Sequence, residues 1–445
     1  MYTAEIGKII FHRWRERSGQ DITVKQYFDE EFFPLFFDSE RYLMLANNSK
    51  FDQAYKQKKK KPLTPDVRRE ALDSFHADVS KLENKEGHLF MGGFSRDLTA
   101  TTTGQITHLE ISFEQDEAYF SWLGLAAGIG VKGGVSLLIT DPDMLDLIVE
   151  GWKHYRHFLD TSTTLKPHQI DSWNAWWLIH NSRSLKSFNQ EDPLTRFPPA
   201  NSIESKNGVS QFVTPPWLEV LFALTRKVQT NYMMAYIYSL GQTNTSIGFI
   251  PIQLGAIQKL SSLYEKLFGI EDFRREGKTF EQLYNTAFSF FQACRMGAIG
   301  LRAIEPKDLR KYMIGRSANL KNIKVRDNNN ITFKIYQTWI TAMLNNEELL
   351  LLAQRLATAL SQVGPSKRGK RGLSNAVENV LEAKGRKQLI DALANLIADE
   401  EFKDTKAAND LGSFDHTVDQ ITKMPATNVP LFITLLRFKY AFQNL

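Results

Sequence analysis

Long stretches of this chain place apolar residues at helical spacing, and they carry most of the expected architecture. Leu349, Leu352, Ala353, Leu356 and Leu360 fall on one helical face within EELLLLAQRLATALSQ. Val377, Val380 and Leu381, then Leu389, Leu393 and Leu396, continue that pattern further on. Ala71, Leu72, Phe75, Val79 and Leu82 predict a helix opened by Pro65 and Asp66 and running to about Lys85. Residues 1–50 read as helical and aromatic-rich, with DEEFFPLFFDSERYLML as core material.

Elsewhere the period changes. Gly87 to Ile139 is rich in Thr, Gly and β-formers, ITHLEISF alternates, and VSLLIT suits a buried strand. Asp141 and Pro142 make an N-cap and first position for a helix carrying Leu145, Ile148, Val149 and Trp152. Residues 190–216, rich in Pro, Ser and Asn, predict a long surface loop. A helix is expected over Trp217–Tyr238, interrupted by SLGQTNTSIGFIP and resumed from Leu254. KNIKVRDNNNITFKIY predicts a β-hairpin over 321–336. Its inward positions would be Ile323, Val325, Ile331, Phe333 and Ile335. Lys324, Arg326 and Lys334 would face out around a tip at Asp327–Asn330.

The expected fold is therefore α+β and predominantly helical. A mixed α/β body over 1–338 would hold a basic loop at 55–69, a strand-rich part at 87–140 and the hairpin at 321–336. A C-terminal helical bundle would occupy 339–445. No internal repeat is visible.

Length and composition add modest constraints. A chain of 445 residues with 42% hydrophobic content supports two or three domains with proper cores. A net charge of +5 over that length is weak, so attraction to a polyanion must come from local clusters. Cys294 is the only cysteine, which excludes an intrachain disulfide and a cysteine-based zinc site. MYTAEIGKIIFHRWRERSG has no signal-peptide core, and apolar runs such as VPLFITLLRF fall short of a membrane span. A cytoplasmic protein with no membrane partner is expected.

Catalytic signatures fail on context. GIGVKG (Gly128–Gly133) has the dinucleotide spacing, but a strand-like run follows where a helix N-terminus must meet the pyrophosphate. Gly277, Lys278 and Thr279 resemble the end of a P-loop, yet Asp272 stands where the leading glycine belongs. Asp66 with Glu83, Asn84 and Lys85 imitates a metal-dependent nuclease pattern. A helix across that interval separates the two carboxylates by about 25 Å. His154 and His157 share a helical face without a third ligand nearby. Neither a catalytic activity nor a cofactor nor a metal is expected. The alternative is a divergent metal-dependent nuclease of a defence system.

Basic features survive this comparison. They are the run Lys58, Lys59, Lys60 and Lys61 with Arg68 and Arg69, and the link SKRGKRG with Lys367, Arg368, Lys370 and Arg371. The third is the set Lys324, Arg326 and Lys334. Each alone is an ordinary solvated surface; together they favour nucleic acid over a small substrate. Glycine around a basic pair lets backbone approach a phosphate closely. Asn244 in GQTNTS and Asn328, Asn329 and Asn330 offer amides that can read base edges, although both segments are equally good turns.

A mixed body with basic loops, ending in the bundle EELLLLAQRLATALSQ…SKRGKRG…RKQLIDALANLI, resembles the large subunit of type I CRISPR Cascade surveillance complexes. It resembles in particular forms whose C-terminal part is similar to the small subunit. The resemblance covers the whole chain in organisation and rests on no diagnostic motif. It implies a non-catalytic subunit that contacts guide RNA and target DNA, recognises the target-adjacent motif and stabilises the opened strand. It also implies effector backbone subunits as partners, with a recruited helicase-nuclease or transposition factor as a further one. An internal start at Met343 would release a separate small subunit. Sequence specificity in such an assembly resides mainly in the guide.

Overall fold

The computed structural model describes residues 2–41, 43, 51, 64–81, 114–166, 170–182, 194, 197, 202–239, 245–269, 280–314, 323, 327, 330–362, 375–398 and 414–444. The chain is predominantly helical with a small antiparallel sheet, in line with the expected α+β class. It divides into two compact units, one of residues 1–254 with 290–298 and the other of 255–289 with 299–445.

In the first unit, the helix Tyr2–Ser18 lies against the helix Gln115–Ala126 at unusually close range. Two glycines make this possible. A Cβ on Gly7 would stand 1.8 Å from the Phe120 carbonyl oxygen, and one on Gly124 would stand 1.8 Å from that of Thr3. The Thr3 and Ser121 hydroxyls, 2.9 Å apart, bond across the crossing. A helical stretch over 24–36 begins with a Thr23/Gln26 capping box and passes through a π-helical turn at Phe28–Phe32. Phenylalanines in this stretch and beyond it build the core: Phe32 stacks on Phe36 at 4.3 Å, and Phe37 on Phe51 at 4.4 Å. Pro65 opens the next helix, Pro65–Val79, which buries Leu72, Phe75 and Val79.

The main sheet contains β1 (Ile129–Val131), β2 (Val135–Ile139), β5 (Met233–Ser239) and β6 (Thr245–Ile252), in the order β1-β2-β5-β6. All its neighbours are antiparallel; Leu138 faces Tyr236, which faces Phe249. A separate hairpin joins β3 (Ile203–Lys206) to β4 (Val209–Phe212). Asp141 caps the helix Pro142–Thr161, accepting from the Met144 amide at 3.0 Å, as its sequence predicts. The helix Ile170–Asn181 is buried on every side beyond Asp171 and carries Trp173, Trp176 and Trp177.

The second unit is built on helices Leu254–Phe268 (from Gly255 on), Ile331–Leu344, Glu348–Gln362, Asn375–Leu381, Arg386–Ala398, Phe414–Lys423 and Val429–Asn444. The 348–362 helix packs along 429–444 with Leu349, Leu352, Leu356 and Leu360 buried, and Asn345 turns the chain into it at φ 50°. Val377, Val380, Leu381, Leu389, Leu393 and Leu396 are buried as their spacing requires.

Three expectations are corrected. The hairpin over 321–336 is not formed: Ile331, Phe333, Lys334 and Ile335 belong to the helix Ile331–Leu344. Alternation over six residues fits either period, but the apolar run continues to Leu344, a length suited to a helix. Asn330 is its N-cap, accepting from the Thr332 amide at 2.9 Å. The helix runs through residues 338 and 339, where the body was expected to end. The second correction is the 217–238 helix, which stops at Lys227; Met233–Ser239 and Thr245–Ile252 are paired strands. The third is the surface loop at 190–216, which contains β3 and β4. Asn207 and Gly208 turn that hairpin at φ 54° and 76°, so the Asn-Gly pair is a hairpin signal within a stretch that otherwise reads as loop. Of the strand-rich part at 87–140, residues 87–113 lie outside the described residues, Gln115–Ala126 is helical, and β1 and β2 are strands.

Candidate functional site

Most of the sequence-chosen residues fall outside the described ones: Lys58, Lys59, Lys60, Lys61, Asn244, Lys324, Arg326, Asn328, Asn329, Lys367, Arg368, Lys370 and Arg371. Three candidates are described. Arg68, on the second turn of the Pro65–Val79 helix, donates from Nε to Asp38 at 2.8 Å and is 13% exposed at its side chain. Asn330 caps a helix. Lys334 lies over the Phe268 ring, 5.5 Å from its centroid. Arg68 belongs to the first unit and the other two to the second, and Arg68 and Asn330 already have intramolecular tasks.

Other described cations repeat the pattern seen at Arg68. In the first unit Arg13 binds Asp143 at 3.0 Å and donates from Nε to Asp146 at 2.9 Å, while Arg17 meets the other Asp146 oxygen at 2.9 Å. Arg156 pairs with Asp160 at 2.7 Å. In the second unit Arg310 grips Glu305, Lys311 pairs with Asp308, Lys266 with Glu347 and Lys423 with Asp419. Hydrogen bonding to those carboxylates holds Arg13, Arg310 and Lys311 above their ordinary pKa values.

A cavity of about 700 Å³ opens in the first unit between the 2–18 helix, the 24–36 stretch and the 142–161 helix. Trp14 lines it, edge-on to Tyr27 at 4.8 Å, and Trp152 and Phe32 form buried walls. Its rim mixes signs, with Arg17, Lys153 and Lys227 set among Glu31, Asp146 and Glu150. Such a mixture gives no concentrated field for a phosphate, and among the described residues no serine, threonine, cysteine or histidine lines the cavity.

Several buried polar groups elsewhere have structural partners. Asn174 donates to the Ala126 and Gly128 carbonyls at 2.8 and 2.9 Å and accepts from Trp152 Nε1 at 3.2 Å. Asp171 accepts from the Ser172 amide at 2.8 Å and the Ser136 hydroxyl at 3.2 Å, and burial raises its pKa above the ordinary carboxylate value. His76 contacts the Tyr119 hydroxyl at 2.8 Å and Asp29 at 2.9 Å, and burial lowers its pKa. Burial pushes the Cys294 thiol up to about 11, which keeps it protonated and poorly nucleophilic near neutral pH.

The motifs set aside on context occupy ordinary structural positions. Gly130 lies within β1, and the glycines of GIGVKG lead into β2. Asp66 sits in the first turn of its helix, while Glu83, Asn84 and Lys85 lie outside the described residues. His154 stacks on Trp177 at 4.8 Å. Among the described residues, no group of three or more His, Cys, Asp or Glu side chains is placed to hold a metal ion, and no helix is long and apolar enough to cross a membrane.

Comparisons of this chain with protein-family models, with curated proteins and with solved structures found no match.

Proposed function

We propose that the chain is a non-catalytic, nucleic-acid-binding large subunit of a CRISPR-associated, RNA-guided DNA surveillance complex working in the cytoplasm. Its partners would be guide RNA, target DNA and the backbone subunits of the complex. One contrast in charge pairing carries this reading. The body's described cations are repeatedly matched by its own carboxylates, as at Arg13, Arg68, Arg156 and Arg310. The basic runs have no acidic neighbour in sequence to supply a short-range partner of the Arg156–Asp160 kind. Between Asp52 and Asp66 the chain holds Lys56 and Lys58–Lys61 and no acid; between Glu348 and Glu378 it holds Arg355, Lys367, Arg368, Lys370 and Arg371 and no acid. Cations without local counter-charges release counterions when they meet phosphates, which makes binding favourable and salt-dependent. Pro62, Gly364, Gly369 and Gly372 flank or divide those runs and disfavour helix-surface ion pairing.

Arg68 and Asn330 are omitted from the phosphate-gripping set because Asp38 and the Thr332 amide occupy them. The test replaces Lys367, Arg368, Lys370 and Arg371 with alanine and measures binding to single-stranded and duplex DNA across a salt series. Affinity should fall, and the log–log salt slope should shrink by about 0.7 to 0.9 for each phosphate the variant no longer neutralises. Unchanged affinity and slope would remove the KRGKR link from the interface. Retained binding when Lys58–Lys61 are replaced as well would remove the proposal's basis.

An internal start at Met343 belongs to the same reading. Met343 lies in the last turn of the 331–344 helix, so a product beginning there retains the 348–362 helix and loses most of its predecessor. A C-terminally tagged gene with native upstream sequence should then yield a second, shorter band on a western blot; a single full-length band rejects the internal start.

A further inference from the structure

One face of strands β5 and β6 presents the Phe249 ring and the Met234 thioether to solvent, with the Tyr236 ring half-buried beside Phe249. Phe249 is 54% exposed and Met234 is 46% exposed. Tyr236 lies opposite Phe249 in the ladder, with ring centroids 5.0 Å apart. Tyr2, at the start of the 2–18 helix, closes the cluster, 4.9 Å from Phe249 and 5.3 Å from Tyr236. The other face of β5 points inward through Met233, Ala235 and Ile237, all buried, so alternation along the strand makes this display.

The surroundings narrow what could cover these rings. From Val228 to Gln258 the sequence contains no charged residue, and the polar groups there are amides and hydroxyls. The Tyr236 and Ser246 hydroxyls bond to one another beside the rings. A cation is available at one end of the sheet. Exposed Lys132 precedes Gly133 and Gly134 in the turn between β1 and β2, and both glycines have positive φ, at 119° and 73°. Ser239, the last residue of β5, donates to the Gly134 carbonyl and ties that turn to the end of the strand. Tyr236 lies three residues earlier, about 10 Å along a strand, roughly the rise of three stacked nucleotides.

β6 is an edge strand, but it is a poor template for another strand. Pro251 lacks a backbone donor, Gly248 has φ 98°, and the ladder register shifts beside it. The open feature is the ring-bearing face.

We propose that this face is a stacking platform for unpaired bases, with Phe249 beneath a base, Tyr236, its ring plane turned 68° from that of Phe249, against the base edge, and the Lys132–Gly134 turn meeting an adjacent phosphate. Neutral rings edged by hydroxyls suit bases, whose faces stack and whose edges hydrogen-bond, while the acid-free strands do not repel the phosphates. The inference rests on the nucleic-acid reading above and gives it a second kind of contact.

The test uses the full chain, a labelled single-stranded oligothymidylate, an abasic strand of equal length and a duplex, read by fluorescence polarisation. Phe249→Leu keeps apolar volume and removes the ring; Phe249→Trp keeps a ring. Phe249→Leu should weaken oligothymidylate binding about fivefold or more, leaving the salt slope and duplex binding unchanged. Phe249→Trp should retain affinity. Wild-type protein should bind the abasic strand less tightly than oligothymidylate, and the leucine variant should lose that preference. Should Phe249→Leu fail to fold, Tyr236→Leu and the abasic comparison on wild-type protein decide. Equal wild-type affinity for abasic and base-bearing strands, with a normal salt slope, overturns the platform and leaves the phosphate reading intact. Absence of wild-type binding to any strand overturns both. Self-association that Phe249→Leu abolishes, with oligothymidylate affinity unchanged, assigns the face to a second copy and overturns the inference.

Discussion

The tryptophan-rich centre of the first unit and the interface of the 348–362 and 429–444 helices in the second are held together by different chemistry. At the centre of the first, indole, phenyl and amide groups are buried together: Trp173 and Trp177 stack at 6.1 Å with a 10° interplanar angle, beside Asn174. Each of these indoles brings a donor that must be satisfied. Trp173 donates to the Gly151 carbonyl at 2.8 Å, Trp177 to that of Leu147 at 2.9 Å, and Trp176 to that of Val213 at 2.6 Å. In the second unit the interface between the 348–362 and 429–444 helices is mainly aliphatic, with Leu352, Leu356, Leu360, Leu435 and Leu436 buried. Leucine layers satisfy a periodic pattern and tolerate local repacking. Hydrogen-bonded indoles specify particular carbonyls, so they constrain which segments meet.

The largest expected effect tests the aromatic centre. Trp173→Ala removes a fully buried ring and should cost about 3–5 kcal/mol in denaturant unfolding. A shift no larger than that of a surface substitution would break the view that this ring organises the first unit. Leu356→Ala is the matching change in the helical unit. It should cost about 2–5 kcal/mol, toward the lower end where neighbouring leucines relax into the space.

A smaller effect is expected at the glycine crossing. Gly7→Ala puts a methyl group against the Phe120 carbonyl and forces the two helix backbones apart. Overpacking of this kind costs about 1–3 kcal/mol, and its sign separates a tight crossing from one with slack. A neutral result would show that the helices can separate freely.

The smallest effect concerns pH. Burial raises the folded pKa of Asp171, so the folded state holds this proton more tightly than the unfolded chain does. The stability this contributes is present below the ordinary carboxylate pKa and is lost as pH rises through the folded value. Asp171→Asn should therefore gain on the wild type as pH is raised from about 4 to about 8, measured by unfolding midpoints. An advantage that instead grows on acidification would mean the carboxylate is stabilised in place by the Ser172 amide and Ser136 hydroxyl.

Where sequence reading succeeded and failed follows the same division. The bundle helices were legible because a solvent-facing helix with one buried stripe writes its period into the chain, as at Leu349–Leu360. The Asp141–Pro142 start was legible because capping is local. ITFKIY was misread because a helix buried on most sides loses its polar stripe, leaving an alternation that suits a strand equally well. MMAYIYS was misread for lack of any charge to mark its solvent face, which carries Met234 and Tyr236. Of the candidate site, Arg68 looked like part of a basic run because Asp38, its partner, lies thirty residues away in sequence. Lys132 drew no attention as a lone cation; its position beside Ser239 and the β5 end requires the β2–β5 pairing.

By itself the sequence determined the class of fold, the amphipathic helices of the second unit and the two acid-free basic runs. These depend on neighbours a few residues apart, where periodicity, caps and uninterrupted charge are directly written. Tertiary structure alone decided the close crossing at Gly7 and Gly124, the carbonyls chosen by the buried indoles, the pairing of Arg68 with Asp38 and the ring cluster of Tyr2, Tyr236 and Phe249. Each joins residues distant in sequence, and only the folded chain brings their atoms within contact range.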